Sequence, residues 1–270
     1  MNNDKFFETN LKRWNELVDI NVKSKSYDLE GFKSGKTSLL SIELKELGEV
    51  KGKSLLHLQC HFGMDTLSWA RLGVEVTGVD FSDKAIAMAR TLSNELKIPA
   101  RFILSNFYDI PNVLNEKFDI VYTSYGAICW LPDIVKWAQI ISIYLKEGGI
   151  FYIIDNHPFG LLIDEHQDAF KVGYNYFSEG KPIYWNEDGA YADPSAKLKN
   201  RESYDWLHSM STIMNALINA NLKIEFLHEF PFTFHNIHPD MKRREDGYWE
   251  FTDLEFTVPM MFSIKAHKKN

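Results

Sequence analysis

Several features that mark other protein classes are missing from these 270 residues. The two cysteines, Cys60 and Cys129, are too few for the disulfide framework of a small secreted protein and favour a reducing compartment. No stretch of about 18 apolar residues is present, so no membrane-spanning helix is predicted. The first ten residues also lack the apolar segment of a secretory signal. We therefore expect a cytoplasmic protein.

An excess of positive charge is missing as well. The net charge of −7 provides no electrostatic footprint for nucleic acid or for an anionic membrane. The chain has neither a P-loop nor a G-x-S-x-G nucleophile elbow. Two groups that suggest a zinc site, one at His57, Cys60 and His61 and one at His235 and His238, lack a second ligand pair. We therefore expect no nucleic-acid partner, no membrane association and no required metal.

What the chain does contain is a strand–turn–helix–strand pattern over residues 54–80. The short apolar segment at residues 54–58 predicts a buried parallel strand, and residues 59–63 predict a tight turn. Asp80 ends the second strand, 21 residues after Gln59. In open parallel sheets ligands bind at the carboxyl ends of the strands, and an acid about 20 residues after the turn accepts hydrogen bonds from ribose hydroxyls. The pattern therefore predicts half of a nucleotide-binding α/β fold.

The composition of the turn argues against a dinucleotide. The G-x-G-x-x-G fingerprint uses glycines so that the backbone can approach a pyrophosphate. Residues 59–65, Gln-Cys-His-Phe-Gly-Met-Asp, contain a single glycine. Bulky Phe62 and acidic Asp65 also oppose a bound pyrophosphate. A ligand that has a ribose but no phosphate fits this turn better.

These residues resemble class I S-adenosylmethionine-dependent methyltransferases. Residues 55–70 are LLHLQCHFGMDTLSWA and residues 78–82 are GVDFS, a pair of motifs similar to those of one bacterial branch of the family. The resemblance implies a Rossmann-like α/β fold with a seven-stranded, mostly parallel sheet, an antiparallel last strand and helices on both faces. It also implies S-adenosyl-L-methionine as the cofactor, S-adenosyl-L-homocysteine as its product, and methyl transfer by in-line displacement.

The resemblance further implies which residues contact the cofactor. Asp80 is expected to hold the ribose, Asn106 to lie at the edge of the adenine and Ser124 to border the methyl group. A cap at the end of a strand is the alternative for Asn106. The full predicted set is Gln59, Cys60, His61, Gly63, Asp80, Phe81, Ser82, Asn106, Phe107 and Ser124.

The catalytic residues stay unknown at this stage. The sulfonium methyl is already electrophilic, so the enzyme mainly has to align an acceptor atom and exclude water. Tyr125 and His157 are the candidates, because each follows a predicted strand at its carboxyl end. The usual pKa of histidine suits proton transfer near neutral pH. The alternative for His157 is a loop histidine held by a backbone hydrogen bond.

We expect a single methyltransferase domain over residues 1–270. Four segments are predicted within it, namely an N-terminal helical arm or lid (1–52), a cofactor-binding core (53–158), an aromatic-rich insertion (159–202) and a C-terminal helix with a β-hairpin (203–270). The arm either covers the cofactor or packs on the sheet. The insertion is expected to cap the substrate, with a β-ribbon for dimer contact as the alternative. A helix is predicted to begin at Tyr204.

The acceptor is not identified by the sequence. The acidic charge favours a small molecule over nucleic acid, and oxygen, nitrogen, sulfur and carbon nucleophiles all stay open, as does the choice between monomer and homodimer. A nicotinamide-dependent oxidoreductase shares the strand–turn–helix unit and Asp80, but the missing glycines disfavour it. A non-catalytic cofactor-binding or interaction protein is the third class, and turnover of the cofactor distinguishes it from an enzyme.

Overall fold

The computed structural model describes residues 4–164, 170–178, 180–252 and 254–269. The α-helices in these ranges are α1 (Asp4–Asn21), α2 (Leu29–Lys33), α3 (Ser41–Leu47), α4 (Met64–Arg71), α5 (Asp83–Leu96), α6 (Ile134–Tyr144) and α7 (Met210–Asn219). Short 3₁₀ helices lie at Phe107–Asn112, Ile128–Trp130 and Gly160–Leu162. Within the described part of the chain, none of the helices combines the length and the apolar character needed to cross a bilayer.

The strands in the same ranges are β1 (Ser54–Leu58), β2 (Glu75–Asp80), β3 (Arg101–Leu104), β4 (Phe118–Ser124), β5 (Leu145–Asn156), β6 (Ile183–Asn186), β7 (Glu202–Asp205), β8 (Leu222–Phe230), β9 (Phe232–Thr233), β10 (Met241–Arg243), β11 (Trp249–Phe251) and β12 (Met261–Lys268). Seven of them form the main sheet in the order β3-β2-β1-β4-β5-β12-β8. Strand β12 runs antiparallel to both of its neighbours. The predicted seven-stranded sheet with an antiparallel last strand is therefore confirmed.

The hydrophobic core lies on both faces of this sheet. On one face Trp137 of α6 and Leu217 of α7 pack over the central strands, and on the other face Trp69 of α4 and Leu47 of α3 do so. Strand β1 is covered on both sides, which is why its sequence is an almost continuous apolar segment. This buried framework brings the carboxyl ends of the parallel strands to one edge.

One predicted boundary is wrong. Tyr204 does not begin a helix but lies in β7, opposite Tyr184 of β6, and α7 begins at Met210. The cause is a long-range contact, because the buried side chain of Asn10 accepts the backbone N–H of Tyr204 at 2.8 Å and donates to its carbonyl at 2.7 Å. Asn10 of α1 therefore supplies the hydrogen bonds that a further strand would give.

Helix α1 crosses the carboxyl edge of the sheet and packs against the aromatic-rich insertion. Asn15 bonds to Ser82 and Asp83, directly after β2. On its other side, Arg13 donates to the backbone carbonyls of Glu187, Gly189 and Arg201. The described parts of the arm and the insertion therefore contact each other at the carboxyl edge of the sheet, and their functions as lid and substrate cap stay predictions.

Candidate functional site

The turn after β1 adopts a backbone that usually requires glycine. Gln59 and His61 have φ angles of 56° and 51°, in the left-handed region, and Gly63 has a φ of 82°. A Cβ on Gly63 would lie 2.7 Å from the ring of Phe102, so no side chain fits there. Left-handed backbone at non-glycine residues costs about 1–2 kcal/mol each. The turn thus keeps the left-handed backbone of a glycine-rich turn, although only Gly63 in it is a glycine.

Asp80 holds this turn and faces a narrow cavity. Its carboxylate accepts the backbone N–H of His61 and that of Ser82, both at 2.9 Å. Burial raises the pKa of Asp80 to about 6 and outweighs these hydrogen bonds. Each carboxylate oxygen keeps a second lone pair for a ligand hydroxyl.

The narrow cavity, of about 30 Å³, is lined by residues from β2, the end of β3 and α1. The predicted residues among its lining are Gln59, Asp80, Phe81, Asn106 and Phe107, and the arm contributes Phe7 and Asn10. The Oε1 atom of Gln59 is buried and has no hydrogen-bond partner among the described residues. A donor on a bound ligand would satisfy this oxygen.

A larger cavity of about 260 Å³ lies beside the narrow one. Trp130 lines both cavities and joins them. The aromatic side chains of the larger cavity come from α1, the loop after β4, the insertion and the segment after β7, and they are Trp14, Trp130, Tyr174, Trp185, Tyr191 and Trp206. Trp14 also touches the turn after β1, because its ring centroid is 5.4 Å from that of His61. The larger cavity is therefore aromatic and opens beside the turn.

The loop that carries Trp130 is fixed by one buried carboxylate. Asp155, at the carboxyl end of β5, accepts the backbone N–H groups of Gly126, Ala127, Ile128 and Asn156. Its pKa is raised by burial, against the effect of these four bonds. Asp155 therefore sets the position of the wall between the two cavities.

Known proteins resemble this chain in sequence and in fold. Residues 56–153 match the family model described as "Methyltransferase domain". The ubiquinone biosynthesis O-methyltransferase of Proteus mirabilis is 26% identical over 184 residues, which cover 66% of this chain and 72% of that protein. The crystal structure of an S-adenosylmethionine-dependent methyltransferase from Mesorhizobium loti superposes with a TM-score of 0.57 at 20% identity and covers 83% of this chain and 95% of that one. A glycopeptide N-methyltransferase complexed with S-adenosylmethionine gives a TM-score of 0.53 at 14% identity, over 83% of this chain and 90% of that one.

Residues 56–153 are a methyltransferase domain, and the seven-stranded sheet has the fold of the class I S-adenosylmethionine-dependent methyltransferases. The cofactor is S-adenosylmethionine, which carries a transferable methyl group on a positively charged sulfur. The narrow cavity fits the adenosyl part of this cofactor in chemistry, because it offers the buried carboxylate of Asp80 and the unpartnered Oε1 of Gln59. Assignment to the bacterial branch with the two motifs stays a prediction.

Not all of the predicted cofactor residues of the methyltransferase line the narrow cavity. Cys60 packs beneath the turn, where a Cβ on Gly78 would lie 2.8 Å from its Sγ. Ser82 caps α5 by accepting the N–H of Ala85. The Oδ1 of Asn106 accepts the N–H of Tyr108, as the capping alternative requires, and its second lone pair stays available for an adenine amino group. Direct contact of these residues with the cofactor stays a prediction.

Ser124 lies in a buried polar network below the turn. Its Oγ is 3.2 Å from His57 Nε2 and donates to Asp65 Oδ2, also at 3.2 Å. The Nδ1 of His57 is 2.8 Å from the hydroxyl of Thr66 in α4. Burial lowers the pKa of His57 to about 3, so this ring is neutral at physiological pH. The network ties β1, β4 and α4 together behind the turn.

Neither of the two catalytic candidates lines the narrow or the larger cavity. The ring of Tyr125 packs against Phe234, with centroids 4.6 Å apart. His157 accepts the N–H of Phe159 at Nδ1, and its Nε2 is 2.8 Å from a carboxylate oxygen of Glu229. A catalytic function for Tyr125 or His157 stays a prediction, and this geometry favours the structural alternative for His157.

His61, by contrast, lies where the arm and the insertion meet. Its Nδ1 is 3.3 Å from the hydroxyl of Tyr27, and that hydroxyl also bonds to the hydroxyl of Tyr191. Asn21 of α1 donates to the same Tyr191 oxygen at 3.0 Å. Sequence reasoning assigned no function of their own to Tyr191, Asp155 and Trp130, although the aromatic richness of the insertion was a signal for Tyr191. Within the described ranges, no three His, Cys, Asp or Glu side chains are arranged to hold a metal ion.

Proposed function

We propose that this methyltransferase methylates a small acceptor with one or two aromatic rings, bound in the larger cavity. The observation that carries the proposal is the aromatic cavity of about 260 Å³, which adjoins the narrow cavity at Trp130. Sites for small molecules usually measure about 300–1,000 Å³, and this cavity of about 260 Å³ is just below that range, so it suits a small ligand. Planar rings stack or pack edge-on against tryptophan and tyrosine at about 0.5–1.5 kcal/mol per pair beyond simple burial.

Polar groups in the cavity wall would orient this acceptor. The indole Nε1 of Trp185 is buried and has no hydrogen-bond partner among the described residues, so it is free to donate to an acceptor oxygen. Arg13 adds a positive charge to the same wall. We test oxygen nucleophiles first, because the Proteus mirabilis relative is named as an O-methyltransferase.

In this proposal Asp80 accepts hydrogen bonds from the ribose, Gln59 contacts the cofactor from the turn, and Trp130 separates the adenosyl group from the acceptor. Phe7 and Asn10 of α1 border the narrow cavity, whose volume is about 30 Å³. An adenosyl group is larger than this volume, so the arm has to move outward when the cofactor is admitted. Its return would exclude water from the reacting atoms.

Calorimetry with S-adenosylhomocysteine tests the cofactor half of the proposal. We expect micromolar affinity for the wild type and a loss of about tenfold or more for Asp80→Ala, because hydrogen bonds to a charged group contribute about 1.5–3 kcal/mol. Glu147→Ala, an exposed carboxylate near the opposite end of β5, is the matched control and should bind as the wild type does. Equal affinity of the Asp80 variant would remove Asp80 from the site, and binding of NADH in place of the adenosyl ligand would favour the oxidoreductase.

An acceptor screen with methyl-labelled S-adenosylmethionine tests the other half. The panel contains phenols, catechols, aromatic amines and aromatic thiols of one or two rings. For the substrate found, Trp185→Ala should raise the acceptor KM at least tenfold and leave the affinity for S-adenosylhomocysteine within twofold. If Trp185→Ala weakens the cofactor and leaves KM unchanged, the acceptor does not occupy this cavity.

A further inference from the structure

The wall of the larger cavity carries a histidine, His235, whose Nδ1 has no hydrogen-bond partner in the described part of the chain. His235 lies in the loop after β9 and lines this cavity. Its Nδ1 is buried, and among the described residues no side chain or backbone group bonds to it. Burial alone lowers the pKa of His235, to about 4, so the ring is neutral at physiological pH. A neutral imidazole nitrogen can accept a hydrogen bond from a ligand hydroxyl, and negative charge that develops on that ligand raises the pKa of the ring so that it can take the proton.

His235 lies close to the cofactor turn. The centroid of its ring is 6.2 Å from that of Tyr191. The hydroxyl of Tyr191 bonds to Tyr27, and Tyr27 bonds to His61 of the turn. His235 is thus two side chains away from His61, on the wall of the cavity that joins the cofactor site.

The other titratable groups that face this cavity already have partners. Arg13 donates to three backbone carbonyls, and Cys129 donates to the carbonyl of Gly126, while burial raises the pKa of its thiol. Tyr191 is bonded to Asn21 and Tyr27. Tyr174, Glu187 and Asp205 each have an interaction partner as well. Among the described residues that line this cavity, His235 offers a ring nitrogen that no protein group occupies.

We propose that His235 is a catalytic residue that takes the proton of a hydroxyl or amine acceptor as the methyl group is transferred. This inference rests on the proposed function. A lone pair of the acceptor oxygen or nitrogen forms the bond to the methyl carbon, and the carbon–sulfur bond breaks with its electron pair on sulfur, which gives S-adenosylhomocysteine. The acceptor proton moves to the ring of His235 and then to solvent. The acceptor is therefore expected to be a nucleophile that carries an O–H or N–H proton. Phenols are favoured over carbon nucleophiles.

The test compares His235→Ala and His235→Gln with the wild type on phenols of graded acidity. Loss of a general base lowers kcat about 100- to 10,000-fold for a weakly acidic phenol at neutral pH. The deficit should shrink as the pH rises towards the pKa of the phenol, and it should be smallest for nitrophenols, which are already ionised. Affinity for S-adenosylhomocysteine should stay within twofold. His228→Gln, a half-exposed histidine on β8 paired with Glu46, is the matched control and should keep full activity.

Two results overturn the inference. A kcat within threefold of the wild type removes His235 from the chemistry, and an equal deficit at every pH and for every phenol assigns it a structural function. If the wild type methylates no phenol, the proposed function fails for phenols. The ring ¹⁵N resonances of His235 then test separately whether this histidine contacts a bound acceptor. In the presence of S-adenosylhomocysteine, 4-nitrocatechol should shift these resonances, and unchanged resonances overturn it.

Discussion

The two cavities differ in how their polar atoms are used. In the narrow cavity Asp80 accepts the backbone N–H of Ser82 and Asn106 accepts that of Tyr108, while the Oε1 of Gln59 has no partner among the described residues. In the larger cavity the Nε1 of Trp185 and the Nδ1 of His235 are buried without such partners among the described residues, and both lie in the segments outside the main sheet. Residues at the ends of the sheet therefore fix the carboxylate and the amide of the narrow cavity, while the unpartnered groups of the larger cavity lie in segments outside the main sheet. Specificity for the acceptor is expected to reside in these segments.

The largest predicted effect on stability concerns Asp155, which holds the loop that carries Trp130 between the two cavities. Asp155→Ala leaves four backbone N–H groups without their acceptor, and each unsatisfied buried group costs about 1–3 kcal/mol. We expect the free energy of unfolding in urea to fall by at least about 3 kcal/mol. Binding of both cofactor and acceptor should weaken, because Trp130 borders both cavities.

Asp133→Ala is the matched control for this change. Asp133 caps α6 through one bond, from the N–H of Lys136, and its removal should cost about 1 kcal/mol. If Asp155→Ala costs no more than Asp133→Ala, the loop is held by other contacts. Asp155 would then not set the position of the loop between the two cavities.

The cofactor side could be predicted from the sequence because its determinants are local. The apolar segment of β1, the turn and the acid at the end of β2 lie within residues 54–80, and their order alone places Asp80 at the ligand edge. The acceptor side depends on contacts between distant parts of the chain. Asn10 holds Tyr204, 194 residues away, and Asn21 holds Tyr191, 170 residues away. No short pattern encodes such pairs, so the helix at Tyr204 was predicted wrongly and His235 was considered only as a metal ligand.

The pH dependence of cofactor binding gives an intermediate effect. Without ligand the pKa of Asp80 is raised to about 6, and a ribose that donates to the carboxylate favours its ionised form. Affinity for S-adenosylhomocysteine should therefore decrease as the pH falls through 6. Stability of the unliganded fold should change in the opposite sense, because a raised carboxyl pKa destabilises the folded state as the pH rises from the usual aspartate range towards 6.

Calorimetric titrations between pH 5 and 8 check this prediction. Asp80→Asn should bind about tenfold more weakly at pH 8, and its affinity should not change over this range. His61 does not interfere, because burial lowers its pKa to about 3. The same pH dependence in Asp80→Asn and in the wild type would assign the titration to another group.

The smallest predicted effect concerns the contact that links the two sides. Tyr191→Phe removes a hydroxyl that accepts from Asn21 at 3.0 Å and bonds to Tyr27, while the ring stays in the wall of the larger cavity. One net hydrogen bond contributes about 0.5–1.5 kcal/mol, so stopped-flow release of S-adenosylhomocysteine should become about two- to tenfold faster. Tyr184→Phe, which removes an exposed hydroxyl bonded to Glu202 of β7, should leave the rate unchanged. Faster release in Tyr191→Phe alone means that the insertion helps to retain the cofactor. Equal rates in all three proteins would mean that the insertion serves only the acceptor and that the two cavities act independently.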